Sequence, residues 1–126
     1  MLTLTKAEER IMQILWEIEK GFIKDIIECF SKPKPPYNTV STIVRVLVKK
    51  GIVGFKAYGG SYQYYPLITK EQYRKGQMKK LVKEYYNNSL KQVVSYFSEK
   101  PDLDVEEVDE VLKMLEDIKK NKTGQK

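Results

Sequence analysis

The chain contains no histidine, which removes the commonest general base, the commonest metal ligand and the side chain that changes charge near neutral pH. Its single cysteine, Cys29, excludes an internal disulfide framework and any cysteine-cluster metal site. No apolar run approaches the ~18 residues of a membrane span. No basic stretch at the N-terminus leads into an apolar one, as a secretory signal would require. The expectation is therefore a protein without membrane insertion, working in the cytoplasm. No paired-acid motif stands out, so neither an enzyme nor a cofactor is expected.

The most informative absence is local. Between Glu28 and Glu71 there is no Asp or Glu, while Lys32, Lys34, Arg45, Lys49, Lys50, Lys56 and Lys70 all fall there. That window carries +7 against a whole-chain charge of +6, so the remainder, 16 basic against 17 acidic residues, is −1. A basic middle with near-neutral flanks is the electrostatic footprint of a surface for a polyanion. At 126 residues and 41% hydrophobic, the chain suits one small domain with an appended element.

Residues 37–50 sit inside this window and read YNTVSTIVRVLVKK. At roughly 100° per residue, Val40, Ile43, Val44, Leu47 and Val48 gather on one side of a helix. Asn38, Thr42, Arg45 and Lys49 fall opposite, with Ser41 at the edge. An ordinary surface helix would mix Glu or Asp into its solvent side; this one has neither. Its β-branched content weakly opposes a helix, but the run is long for a strand. Small polar side chains let a helix approach a groove closely, and Arg and Lys add charge. Asn38, Thr39, Ser41, Thr42 and Arg45 are expected to face base edges or nearby phosphates. Lys49, Lys50 and Lys56 are expected to hold the DNA backbone, and Tyr37 completes the DNA-binding set.

The flanks build a frame for that helix. Thr5 and Glu8 fit a capping box, after which Ala7, Ile11, Ile14, Leu15 and Ile18 repeat at helical spacing to Gly21, with Trp16 in the core or at its rim. A short helix over 23–30 would bury Ile23, Ile26, Ile27 and Phe30, with Cys29 buried or half-buried. The run Pro33-Lys34-Pro35-Pro36 ends it. Helix, short helix, turn, helix is the helix-turn-helix order. Two β-rich runs, 52–58 and 61–66, flank Gly59-Gly60 and predict a two-residue hairpin. Gly51 suits a left-handed helix cap. Tyr58, Tyr62, Tyr64 and Tyr65 are expected to pack across the hairpin, with stacking on nucleobases as the alternative.

The rest is helical. Thr69 and Gln72 form a second capping box ahead of a basic segment reaching about residue 86. Asn87-Asn88-Ser89 breaks it. Leu90, Val93, Val94 and Phe97 then repeat at helical spacing, Lys100-Pro101 breaks again, and Asp104 caps a stripe of Val108, Val111, Leu112, Leu115 and Ile118. Residues 119–126 are expected to fray. With Leu81, Val82 and Tyr85, these stripes exceed what one small chain can bury, which predicts a homodimer, the alternative being that these helices fold back onto their own winged helix. The fold class expected is mostly α with a small β-hairpin wing: a winged helix-turn-helix over 1–68, then C-terminal dimerisation helices over 69–126.

With these elements placed, the sequence resembles the penicillinase-repressor (BlaI/MecI/CopY) family of bacterial transcription regulators. The matching residues are Leu4-Thr5-Lys6-Ala7-Glu8 leading to Ile14-Leu15-Trp16, then Asn38-Thr39-Val40-Ser41-Thr42, Lys49-Lys50-Gly51, Gly59, and Tyr64 with Pro66. The resemblance implies a homodimeric repressor on a palindromic double-stranded operator. In the β-lactam branch it also implies a membrane-bound sensor protease as partner and cleavage just before a phenylalanine. The matching bond here is Tyr96-Phe97, with Tyr96 where that branch has Asn. Two further departures are Val46 and Gly60, where the family usually has basic residues. The copper-responsive branch's C-terminal cysteine cluster has no counterpart. Two other readings remain open from sequence: a basic face docking an acidic protein partner, and an RNA-binding module using the wing tyrosines.

Overall fold

Thr5 starts the fold. Its hydroxyl accepts the Glu8 N–H (3.1 Å) while the Glu8 carboxylate accepts the Thr5 N–H (2.9 Å), so two otherwise orphaned amides at the helix start are satisfied together. The helix that follows, α1 (Lys6–Ile18), turns Ile11, Met12, Ile14 and Leu15 inward with no exposure at all. Met12 thus belongs to the core, while Ala7, expected in the stripe, is exposed. The computed structural model describes residues 3–100 and 102–124; it separates into two compact units, Met1–Lys80 and Leu81–Lys126.

In the first unit α1 stops three residues before Gly21. Glu19 takes a positive φ of 73° and donates its N–H to Leu15. Gly21 then pairs with Tyr64 through two backbone hydrogen bonds of 2.9 and 2.8 Å, adding a bridge to the edge of the wing. A Cβ at Gly21 would lie 2.9 Å from Ile18 Cδ1 and 3.1 Å from Asp25 Cβ, so a larger residue there would make these side chains shift. Next, α2 (Ile23–Glu28) is shorter than expected, with half-buried Cys29 and Phe30 already in the turn. Asp25 accepts the Phe22 N–H at its start (2.8 Å).

The third helix, α3 (Tyr37–Lys49), begins directly after Pro36. Gly51 follows it at φ 82°, the left-handed cap expected there. Strands β1 (Val53–Tyr58) and β2 (Ser61–Pro66) pair antiparallel across Gly59-Gly60, in register from Val53 opposite Pro66 to Tyr58 opposite Ser61. Only Gly59 of the two loop glycines has a positive φ (58°). The core of this unit joins α1 to Ile23, Ile26, Val40, Val44, Leu47, Ile52, Val53 and Tyr64. Each such aliphatic side chain contributes about 1.5–3 kcal/mol by burial, and together they hold α3 and the wing in one frame.

Helix α4 (Lys70–Tyr86) starts on the Thr69–Gln72 capping box, with bonds of 2.8 and 3.0 Å. Trp16 sits at the core rim; its indole N–H donates to Ile68 (2.9 Å) and its ring lies 5.6 Å from that of Tyr73. The Tyr73 hydroxyl donates to Glu9 (2.7 Å), and burial together with that carboxylate pushes its pKa up to about 12. These contacts carry the first unit through Lys80.

The second unit continues from Leu81. Asn87 and Asn88 both take positive φ, 53° and 58°, which ends α4. Ser89 caps α5 (Leu90–Phe97) and Asp104 caps α6 (Val105–Thr123). Pro101, expected to break the chain, lies outside the described residues, as do Gln125 and Lys126. Residues 119–123, expected to fray, are helical. Lys120 and Lys122 lie in the last turn, where the helix dipole favours cations, and the Thr123 hydroxyl donates to Lys119 (2.8 Å). No helix among the described residues is long and apolar enough to cross a membrane.

Candidate nucleic-acid interface

Three side chains anchor α3: Val40, Val44 and Leu47 are almost wholly buried, and Ile43 and Val48 pack half-buried beside them. The 3.6-residue period then turns Asn38, Thr42, Arg45 and Lys49 outward, with Thr39 and Tyr37 exposed and Ser41 half-buried. Val46, one of the two departures from the resembled family, is 38% exposed on this helix. Gly60, the other, is at the wing tip, where an added Cβ would meet nothing within 4 Å.

The cations of the acid-free window have different fates. Lys50 pairs with Glu8 at 2.8 Å, a contact that joins the end of α3 to the start of α1. The Lys50 ammonium holds the Glu8 carboxyl below its usual range, against an opposing effect of burial. Lys34 donates to the carbonyls of Glu28 (3.1 Å) and Phe30 (2.7 Å), and Arg10 donates to Cys29 (3.3 Å), so the end of α2 is satisfied by basic side chains. Lys56 lies over the Tyr58 ring at 5.5 Å. Arg45 and Lys49 have no acidic partner; the ion pairs among the described residues are Lys50–Glu8 and Lys75–Glu71. An unpaired Arg and Lys on one exposed helix face are free to meet an anion.

The wing converts that face into two grooves. The larger, about 760 Å³, is bordered by Tyr37, Asn38, Ser41 and Arg45 of α3, by Phe22, Ile23 and Lys24, and by Tyr58, Gly60, Ser61, Tyr62 and Tyr64. The smaller, about 410 Å³, lies between Arg45, Val48 and Lys49 on one side and Phe55, Tyr62 and Tyr64 on the other. Arg45 borders both. Thr39, Thr42, Lys50 and Lys56 border neither. Phe22, Lys24 and Ser61 were not anticipated, because only the folding of the hairpin toward α2 and α3 brings them to the groove.

Aromatic packing sets the wing's shape. Phe55, Tyr62 and Tyr64 form a cluster with ring centroids 5.1–6.4 Å apart, a separation at which tilted and edge-on pairs attract. Tyr65 lies across Gly54, whose missing Cβ leaves room for its ring. Tyr58 packs edge-on to Phe22 (6.1 Å) rather than across the hairpin. Burial pushes the Tyr64 phenol up; neighbouring Tyr37 and Tyr62 add to this and Arg45 opposes it.

The second unit has a different surface. Leu81, Tyr85, Leu90, Val94, Phe97, Val111, Leu112 and Ile118 are exposed, and Val82, Val93, Val108 and Leu115 are half-buried. Tyr96 and Phe97 end α5, both exposed, with rings 5.0 Å apart. Among the described residues, no group of His, Cys, Asp or Glu could hold a metal ion.

Residues 4–117 match the penicillinase repressor family. The penicillinase repressor of Bacillus licheniformis is 27% identical over 120 residues, covering 94% of each chain. The methicillin resistance regulatory protein MecI of Staphylococcus aureus is 27% identical over 113 residues, covering 89% of this chain and 92% of its own. Among solved structures, the DNA-binding domain of the repressor BlaI aligns with a TM-score of 0.50 and 25% identity, over 56% of this chain and 88% of that domain. With the match extending from α1 into α6, the chain belongs to the penicillinase repressor family, a family of transcriptional repressors and not of enzymes.

Proposed function

We propose that the protein represses transcription as a homodimer, each copy laying α3 in the major groove of one half of a palindromic operator. The observation that carries this reading is the exposed face of α3, where Arg45 and Lys49 stand beside Asn38, Thr39 and Thr42 without an acidic partner. A major groove about 12 Å wide admits one helix, and Arg and Asn can each address a base edge with two hydrogen bonds. Asn38, Thr39, Ser41, Thr42 and Arg45 read bases or adjacent phosphates. Lys49 and Lys56 meet the backbone. Lys50 acts at one remove, by fixing the end of α3 against Glu8. The solved relative named as a repressor's DNA-binding domain supports the same use of the same fold.

The homodimer rests on the second unit, whose apolar stripes lie open to solvent in a single chain. Exposed apolar faces of this extent mark an interaction surface, and a second copy offers a matching one. Relief of repression follows from loss of that dimer, by cleavage or other disruption of 81–126 on a cell-envelope signal of the β-lactam type. A membrane-bound sensor protease is the partner that would deliver it, and Tyr96-Phe97 is the bond that matches the scissile position. The protein itself acts in the cytoplasm.

Fluorescence anisotropy tests the central part, with duplex from upstream of the protein's own gene against scrambled duplex across a salt series. Specific binding about 10³-fold or more tighter than scrambled, with a steep salt slope, is expected. Equal affinity for the two duplexes contradicts operator reading. No duplex binding at moderate salt would point to an acidic protein partner for the basic face.

A further inference from the structure

The larger groove holds an unusual set of donors. Tyr37, Tyr58 and Tyr62 border it, as residues 57%, 46% and 50% exposed. Unlike Tyr73, whose hydroxyl is committed to Glu9, none of these three phenols has a hydrogen-bond partner among the described residues. Asn38, Ser41 and Ser61, each with a polar side chain, border the same groove. Its cations are Arg45 and Lys24, and no carboxylate among the described residues borders it. Tyr37, Arg45, Tyr62 and Tyr64 border this one groove together. The donor set is therefore rich but mostly uncharged, and aromatic bodies provide apolar walls beneath it.

A sugar-phosphate strand matches that chemistry. Phosphate oxygens accept hydrogen bonds without donating any, and the deoxyribose is apolar enough to lie against a ring. Tyrosine hydroxyls are among the groups that contact phosphates, and such contacts position the protein without reading sequence. An acidic peptide would also supply acceptors, but the groove is bordered by α3, whose Arg45 lacks an acidic partner among the described residues, and the chain belongs to a family of transcriptional repressors, which favours DNA as the polyanion. We propose that this groove seats one backbone strand of the operator duplex, gripped mainly by the phenol hydroxyls of Tyr37, Tyr58 and Tyr62 with Arg45 as its principal cation. The site rests on the DNA-binding reading and adds a consequence to it. A neutral hydroxyl displaces no counterion, so this part of the affinity is insensitive to salt, whereas each lysine–phosphate contact contributes to the salt slope.

The experiment is anisotropy binding of the full chain to upstream and scrambled duplexes over a salt series, for wild type, Tyr37→Phe, Tyr62→Phe and Lys49→Ala. Phenylalanine removes only the hydroxyl from an exposed ring, and an unchanged melting temperature verifies the fold. Each tyrosine variant is expected to bind both duplexes about tenfold more weakly, the scale of one hydrogen bond to a charged group, with the salt slope unchanged. Lys49→Ala is expected to reduce the slope by about one. Tyrosine variants that bind as tightly as wild type, while wild type binds DNA, would overturn the strand site alone. A tyrosine variant that flattens the slope as the lysine variant does would also overturn it. Failure of wild type to bind any duplex would remove the DNA reading and this site together.

Discussion

The two units solve the burial problem in opposite ways. The first encloses Ile11, Leu15, Ile26, Val44 and Leu47 completely, and what it leaves outside near α3 is mainly polar, basic and aromatic, with Val46 the aliphatic exception on the helix itself. Among its described residues the second buries none fully, and its exposed groups include Leu90 at 60%, Leu112 at 53% and Ile118 at 51%. The first has a closed core and leaves Arg45 and Lys49 without an acidic partner among the described residues. The second is helical by local rules (caps at Ser89 and Asp104, periodic apolar stripes) yet incomplete as a packed object. Charge left over after folding points to a ligand; apolar surface left over points to another chain.

The contrast is broken most severely by removing core volume. Leu47→Ala should destabilise the first unit by about 2–5 kcal/mol in urea unfolding, because the side chain is wholly enclosed between α3 and its neighbours. A comparable loss from Leu112→Ala in a chain held monomeric by dilution would contradict the claim that the second unit lacks a core of its own. If the second unit pairs two copies as proposed, Leu112→Asp should weaken association by about 100-fold or more in sedimentation equilibrium, since a side chain desolvated in that dimer is replaced by a charge. Dimerisation unaffected by this change would place the interface elsewhere.

Smaller effects sharpen the role of the basic face. Arg45→Ala should cost about 1–3 kcal/mol in operator affinity and relax preference at one base position, read by a panel of single-base operator variants. Unchanged affinity and preference would show that α3 does not read bases. Glu8 provides the smallest effect. Its pKa is lowered in the fold, so it stabilises above its unfolded value near 4.5 and loses that contribution as pH falls through the folded value. Because Lys50 is about one-third exposed, the pair should contribute under about 1 kcal/mol. Acid titration of stability for Glu8→Gln should lack this component below pH 4.5; an identical acid profile would exclude the ion pair from the fold's pH response.

Much of this architecture was legible in local sequence. Thr5 with Glu8, Thr69 with Gln72, Asp104 and Gly51 announced helix ends because a cap involves residues a turn apart. The stripe Val40, Val44, Leu47 predicted which side of α3 would be buried, and so which side would remain for a ligand. Contacts between distant residues were not legible. Lys50 meets a carboxylate 42 positions earlier, so no spacing rule separates it from Lys49, which stays unpaired. Gly21, just past the end of α1, bridges to Tyr64, a pairing that no local spacing announces. The groove likewise exists only after the hairpin brings Tyr58 and Tyr62 toward Tyr37 and Arg45. Pattern revealed the polarity of each face; which side chains remain free on it depended on tertiary pairing.

Both halves of the comparison meet in one measurement: sedimentation velocity of the full chain with a duplex from upstream of its own gene, which counts chains per duplex. A cooperative complex of two chains per duplex, absent with scrambled DNA, is the expected result. One chain per duplex, or equal complexes with scrambled DNA, would contradict a dimer whose second unit pairs the copies and whose first unit reads the operator.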